Sequence, residues 1–196
     1  YSDHIAVPIV LGEETVNQAS ALWTRPKSEI TEEQYAEFYK HLSHDWEKPL
    51  AHRHFRVEGT QMFAGLIFLP SRPPFDLVDQ AVKHGVRLHV RRVFVMDDCE
   101  ELLPKYLRFI KGLVDSEDLP LNVSRELLQD SRVIKIIKKQ IVNHALSMIE
   151  EVADQKPEEY RKFWGNFGPV LKEGLHFGVD DQERFSKLLR YSSTAE

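Results

Sequence analysis

The sequence predicts an α/β sandwich followed by a small helical unit. Short apolar or alternating runs separated by turn residues occupy Ile5 to Val114, a long apolar stripe at helical spacing runs from Ser124 to Asp154, and two further capped helical patterns follow it. Helices that follow a set of strands must cover the sheet or pack beyond it. Ile5 to Leu11 and Ser20 to Trp23 read as strands separated by a short acidic turn. Thr31, with Gln34 three residues on, makes a capping box for a helix carrying Tyr35, Phe38, Tyr39 and Leu42 on one stripe. Phe55 to Glu58 and Met62 to Leu69 read as a hairpin whose second, nearly all-apolar strand suits a central position. Pro70, Pro73 and Pro74 punctuate the next loop. Val86 to Met96 reads as one half-buried strand, its apolar residues alternating with His89, Arg91 and Arg92. Tyr106 to Val114 fits strand or helix, and reads as strand because DSEDLPLN breaks it immediately afterwards.

Ser124 to Asp154 reads as one helix, with Leu127, Ile134, Ile137, Ile141, Ala145, Met148 and Val152 on the face it buries against the sheet. Pro157 fits the first turn of a helix ending near Phe167, and Asp180 or Asp181 starts another reaching Tyr191. The expected division is a sandwich over residues 1–154 and a helical unit over 155–196.

A chain of 196 residues can bury a real core as one domain or one domain with an appendage. Its 42% hydrophobic and 29% charged residues, with no repeat or low-complexity tract, are ordinary for a folded protein. A net charge of −5 argues against nucleic acid as a partner, and Lys135, Lys138 and Lys139 read as a solvated helix face. No apolar run approaches the roughly 20 residues of a membrane span, the longest being Phe63 to Leu69. Cys99, alone, permits no internal disulfide and suits a reducing compartment, and Asp97 and Asp98 before it raise its pKa. Tyr1 opens an incoming strand rather than a signal peptide, so a piece of a longer protein is expected. The nine glycines form no phosphate-cradling loop, so nucleotide binding by this segment alone is not expected.

The stretch DLPLNVSRELLQD, Asp118 to Asp130, carries the chemistry. Ser124 reads as the N-cap, which puts Arg125 in the first helical turn, where a cation opposes the helix dipole at a cost of about 0.3 to 1 kcal/mol. Glu126 offsets part of that cost. An arriving anion explains the placement, because helix-start N–H groups and a guanidinium both favour phosphate. Gln129 shares the face of Arg125 one turn on, and Asn122 lies in the turn just before. A solvated surface arginine is the alternative.

LPLNVSRELLQ, preceded by YLRFIKGLVDSED and followed by a long basic helix, resembles the middle domain of the ninety-kilodalton heat-shock chaperone family. ALWTRPKSEIT, EEQYAEFYKHLSHDWEKPL, FRVEGTQMFAGLIFLPSRPPFDL, RRVFVMDD and KLLRYSS follow in the family's order, so the match spans the chain. The resemblance implies a three-layer α/β sandwich of the ribosomal protein S5 domain 2-like type, then a three-helix coil. It implies an N-terminal ATPase domain before Tyr1, with the remaining middle domain and a C-terminal dimerisation domain after Glu196. Arg125 would reach the γ-phosphate of ATP held by the N-terminal domain, Gln129 would assist, and Asn122 would help set the loop. ATP and Mg then belong to the full-length protein, and this segment alone is expected to have no ATPase activity. The implied partners are the N-terminal ATPase domain of the same chain, client proteins, co-chaperones and a second full-length copy, without nucleic acid or membrane. A stress-response chaperone of the cytoplasm or an organellar matrix is expected, and the short turn between Leu11 and Val16 resembles bacterial or organellar members.

Trp23 lies beside Arg25, Pro26 and Lys27, so partial exposure and contact are expected, against the alternative of a core-edge residue. The resemblance links Trp23 and Phe75 to client binding, and the prolines of SRPP stiffen the Phe75 loop, which can also meet the ATPase domain. Trp46 and Trp164, on amphipathic segments, read as packing residues. His41, His44, His52 and His54 crowd together, but no carboxylate or thiolate partner is set by spacing, so no metal is assigned. A non-catalytic interaction platform and, more remotely, a histidine-based metal hydrolase remain as other readings.

Overall fold

The computed structural model describes residues 10–11, 14–15, 21–74, 77, 84–122 and 125–191, with the backbone alone at 10–11, 14–15, 125 and 130. A two-stranded ribbon, β1 (Val10–Leu11) and β2 (Glu14–Thr15), precedes helix α1 (Glu32–Ser43). Strands β3 (Ala51–Val57), β4 (Phe63–Leu69), β5 (Val86–Val90), β6 (Val93–Cys99) and β7 (Lys111–Ser116) then build a mixed sheet in the order β3-β4-β7-β5-β6. The pairing is antiparallel except between β5 and β7. Helices α2 (Arg125–Asp130), α3 (Arg132–Gln155), α4 (Pro157–Lys172), α5 (Gly174–Phe177) and α6 (Gln182–Ser186) complete the fold.

Residue alternation along β4 and β7 creates three layers. Ala64, Leu66, Phe68 and Leu113 face α1, where they pack with Trp23, Tyr35, Tyr39 and Leu42. Phe63, Ile67, Leu69 and Val114 face the opposite way, into the larger core built with Ile137, Ile141, Ile149, Phe163 and Phe167. Every residue of β4 is buried, as its apolar run and interior place require. Thr31 and Gln34 form the expected capping box of α1. The larger core continues without interruption from the sheet into α4 and to Phe185 of α6. Two polar clamps join the same parts: Arg108, before β7, holds Glu173 through two bonds of 2.6 and 2.8 Å, and Arg184 reaches Glu150, Ser147 and Asn143 of α3. The boundary expected at residue 154 falls one residue before the end of α3.

Several local expectations are corrected. Leu22–Thr24 is a 3₁₀ turn rather than a strand, its Thr24 N–H bonded to the Ala21 carbonyl at 2.9 Å. Val86 to Met96 is two strands, because Arg91 and Arg92 turn the chain with φ of 51° and 68°. Tyr106 begins in a 3₁₀ turn, Lys105–Leu107, and β7 starts only at Lys111. The long helix breaks at Ser131, whose hydroxyl accepts from the Ile134 N–H and caps α3. That break rotates α2, so Leu128 is buried and Leu127 is 60% exposed. Helix α4 runs past Phe167 to Lys172 with Pro169 inside it, while α6 stops at Ser186.

Candidate functional site

The loop that leaves β7 is anchored before it becomes exposed. Ser116, fully buried, accepts through Oγ from the N–H groups of Asp118 and Leu119, both at 3.3 Å. The Asp118 carboxylate accepts from the Met62 N–H at 2.6 Å, and the Met62 carbonyl accepts from the Glu117 N–H at 2.9 Å. Leu119 is buried, after which Pro120, Leu121 and Asn122 are exposed. The chain re-enters the fold at α2, whose Leu128 reaches the larger core. Arg125 is the first residue of that helix and Glu126 lies in its first turn. Gln129, one turn beyond Arg125, is exposed. Asn122 and Gln129 therefore stand in solvent on either side of the backbone position of Arg125. Ser124, the expected cap, lies outside the described residues.

The other candidates are not gathered at this loop. Trp23, expected to be partly exposed, is 1% exposed. Its indole N–H donates to Asp115 Oδ2 at 2.8 Å, and its ring lies 4.9 Å from that of His89. The 3₁₀ turn aims the indole at β7, which is why the neighbouring Arg25, Pro26 and Lys27 misled about its exposure. Phe75 lies outside the described residues. Trp46, read as a packing residue, is instead 87% exposed. Its neighbours Asp45 and Glu47 were the overlooked signal, since both are tied to Arg72 at the surface, at 3.9 and 2.9 Å. Trp164 does pack against the larger core.

Of the four crowded histidines, His52 and His54 serve packing, while His41 and His44 are exposed. His54, buried, bonds the Tyr35 hydroxyl at 2.9 Å and the Trp23 carbonyl at 3.0 Å, while His52 stacks on Tyr35 at 4.1 Å. Burial pushes both imidazoles below the ordinary histidine pKa, against the Trp23 carbonyl at His54 and Glu32 at His52. Among the described residues no three His, Cys, Asp or Glu side chains converge to hold a metal. Cys99 is buried and its thiol is pushed up to about 12, first by burial and then by Glu101, rather than by the aspartates before it.

Residues 7–196 match the family model described as Hsp90 protein. The chain is 52% identical over 212 residues to the chaperone protein HtpG of Myxococcus xanthus, a match covering 100% of this chain and 32% of that one. It is 53% identical over 214 residues to the HtpG of Burkholderia cenocepacia, covering 99% of this chain and 34% of the relative. Among solved structures, the middle domain of a Plasmodium falciparum heat shock protein aligns with a TM-score of 0.76 and 31% identity, over 86% of this chain and 65% of that one. The chain spans about a third of the length of the curated relatives it matches.

Proposed function

The chain belongs to the Hsp90 protein family, and from that premise we propose that it is the part of an ATP-dependent chaperone that supplies Arg125 to the γ-phosphate of ATP bound in a separate N-terminal domain. One observation supports this most: a loop whose root is pinned by Ser116 and Asp118 exposes Asn122 and then delivers Arg125 to the first position of a short helix that carries Gln129 one turn on. A guanidinium there stabilises the charge that develops on a transferring phosphoryl group, while Gln129 orients it and Asn122 shapes the approach. ATP and Mg would be held mainly by the N-terminal domain, which would also supply the general base. Hydrolysis would then depend on closure of one domain onto the other, which couples it to the shape changes by which clients are held and released. The full-length protein would be a cytoplasmic homodimer acting with clients and co-chaperones.

Client contact extends this reading to a second surface. Trp46, 87% exposed, is the aromatic side chain best placed to touch a client, with the Phe75 loop beside it in function. Trp23, buried, contributes by holding the strand end beneath it.

The test is ATP hydrolysis by the full-length chaperone carrying Arg125→Ala. A fall in kcat of about 100-fold with KM for ATP nearly unchanged is the expected result for a cation acting on the transition state. Hydrolysis close to the unaltered rate would leave the non-catalytic interaction platform as the better reading.

A further inference from the structure

Asp115 is the only buried carboxylate among the described residues, at 6% exposed. Placing a carboxylate out of water is costly unless donors satisfy it. Here the donors are N–H groups rather than a cation. Oδ2 accepts from the Trp23 indole at 2.8 Å, and both oxygens accept from the backbone N–H of Arg92, at 3.0 and 3.1 Å.

That second contact holds an unusual turn. Arg91 and Arg92 join β5 to β6 with φ of 51° and 68°, a left-handed pair normally given to Asn-Gly. Non-glycine residues stay in that region only when their surroundings hold them there. The Arg91 N–H donates to the Ser116 carbonyl at 3.0 Å, the Arg91 Nε to the Glu117 carbonyl at 3.1 Å, and the Arg92 N–H to Asp115. The hairpin tip is thus fastened to residues 115–117. Those residues, with Asp118, also anchor the loop that leads to Arg125, because Ser116 Oγ takes the Asp118 and Leu119 N–H groups and Met62 ties Glu117 and Asp118. Trp23, the hairpin tip and the loop root therefore converge on one strand end.

We propose that Asp115 is a positioning residue for the Arg125 loop, its carboxylate locking Trp23 and the Arg91–Arg92 turn against the end of β7 from which the loop departs. Its effect on hydrolysis rests on the role proposed for Arg125; its effect on loop order does not.

The test uses the full-length chaperone with Asp115→Asn, which keeps the shape but sets an amide N–H₂ against the Arg92 N–H. Amide hydrogen exchange in peptides covering 91–92 and 116–122 should quicken about tenfold, with α3 and α4 unchanged. ATP hydrolysis should lose about fivefold in kcat at constant KM. Adding Arg92→Gly, which accepts the left-handed turn without a Cβ, should restore both readouts to within about twofold. Unchanged exchange at 116–122, or exchange that quickens equally throughout the protein, overturns the proposal, as does failure of Arg92→Gly to restore order. Should Asp115→Asn not fold, Trp23→Phe removes the indole donor while keeping a smaller aromatic ring in the same place and must give the same local pattern. Quickened exchange that Arg92→Gly reverses, with kcat unaltered here and in Arg125→Ala, supports the positioning of the loop and refutes the catalytic role of Arg125.

Discussion

Replacing Arg108 with Met tests whether the sheet and the terminal helices form one cooperative body. The guanidinium donates to the Leu77 carbonyl at 2.8 Å, to the Lys105 carbonyl at 3.0 Å and to both oxygens of Glu173, between α4 and α5, at 2.6 and 2.8 Å. Methionine preserves the apolar stem and deletes four bonds. Breaking a fully buried ion pair costs about 3 to 5 kcal/mol, but the Glu173 side chain is 29% exposed and can turn to water, which cuts that cost to about 2 kcal/mol. The two orphaned carbonyls add about 0.5 kcal/mol each, for a total near 3 kcal/mol. Arg108→Met together with Glu173→Met leaves no stranded charge and should be less destabilised than Arg108→Met alone. Urea unfolding of the chain, followed by both tryptophan fluorescence and far-ultraviolet dichroism, measures the difference. Because one core continues from β4 to Phe185, both probes should report a single transition in the unaltered chain. A cost under about 1 kcal/mol, or strictly additive effects in the double variant, would refute the clamp reasoning.

Gly112→Ala should destabilise by about 3 kcal/mol in the same assay, since its φ is +157° and a Cβ would sit 2.5 Å from the Leu66 carbonyl oxygen of the neighbouring strand. Ser131→Ala should cost about 1 kcal/mol and quicken hydrogen exchange in the first turn of α3, while an unchanged first turn would mean that the helix does not depend on its cap. Acidification should lower the melting temperature through His52, His54 and His144, whose pKa values burial depresses. Above about pH 7.5 all three are neutral whether folded or unfolded, and as pH falls through about 6.5 the unfolded chain binds protons that the folded chain resists, so stability is lost on acidification. A melting temperature flat from about pH 7.5 to 5.5 would contradict that sign. Trp46→Ala should change stability by less than about 0.5 kcal/mol, because the ring is 87% exposed, yet weaken binding of an unfolded client to the full-length chaperone.

The parts of the fold legible in the sequence are those set by neighbours a few residues apart. The capping box at Thr31 and the fully buried run of β4 depend on spacing and local chemistry, and both form as read. One covering layer followed from the stripe of the long helix, and Ile134, Ile137, Ile141, Ala145, Met148 and Val152 all lie on the buried face of α3, whereas the three-layer arrangement was implied by the family resemblance. Leu127 was misplaced because the apolar spacing continues across Ser131, whereas the backbone stops there to be capped. A serine inside a helical pattern can be a solvated residue or a new start, and only tertiary packing separates the two.

The two tryptophans were exchanged for the same reason. Trp23 has polar neighbours in sequence but reaches Asp115 across 92 positions, and Trp46 sits in an amphipathic stretch but is left exposed among the described residues. Burial is decided by what arrives from elsewhere in the chain. The loop of Arg125 shows the limit most clearly. Its composition already suggested an anion, and family resemblance named the phosphate, yet nothing local indicated what holds the loop's root. The hairpin tip at Arg91 and Arg92 lacks glycine and asparagine, so it carried no turn signal and read as continuous strand. Its conformation is imposed from β7 by Asp115 and Ser116, and Ser116 also anchors the first residues of the loop. A turn that its own sequence does not favour therefore persists only while β7 holds it, which makes that strand end the place where a small change in one element can be felt in the other.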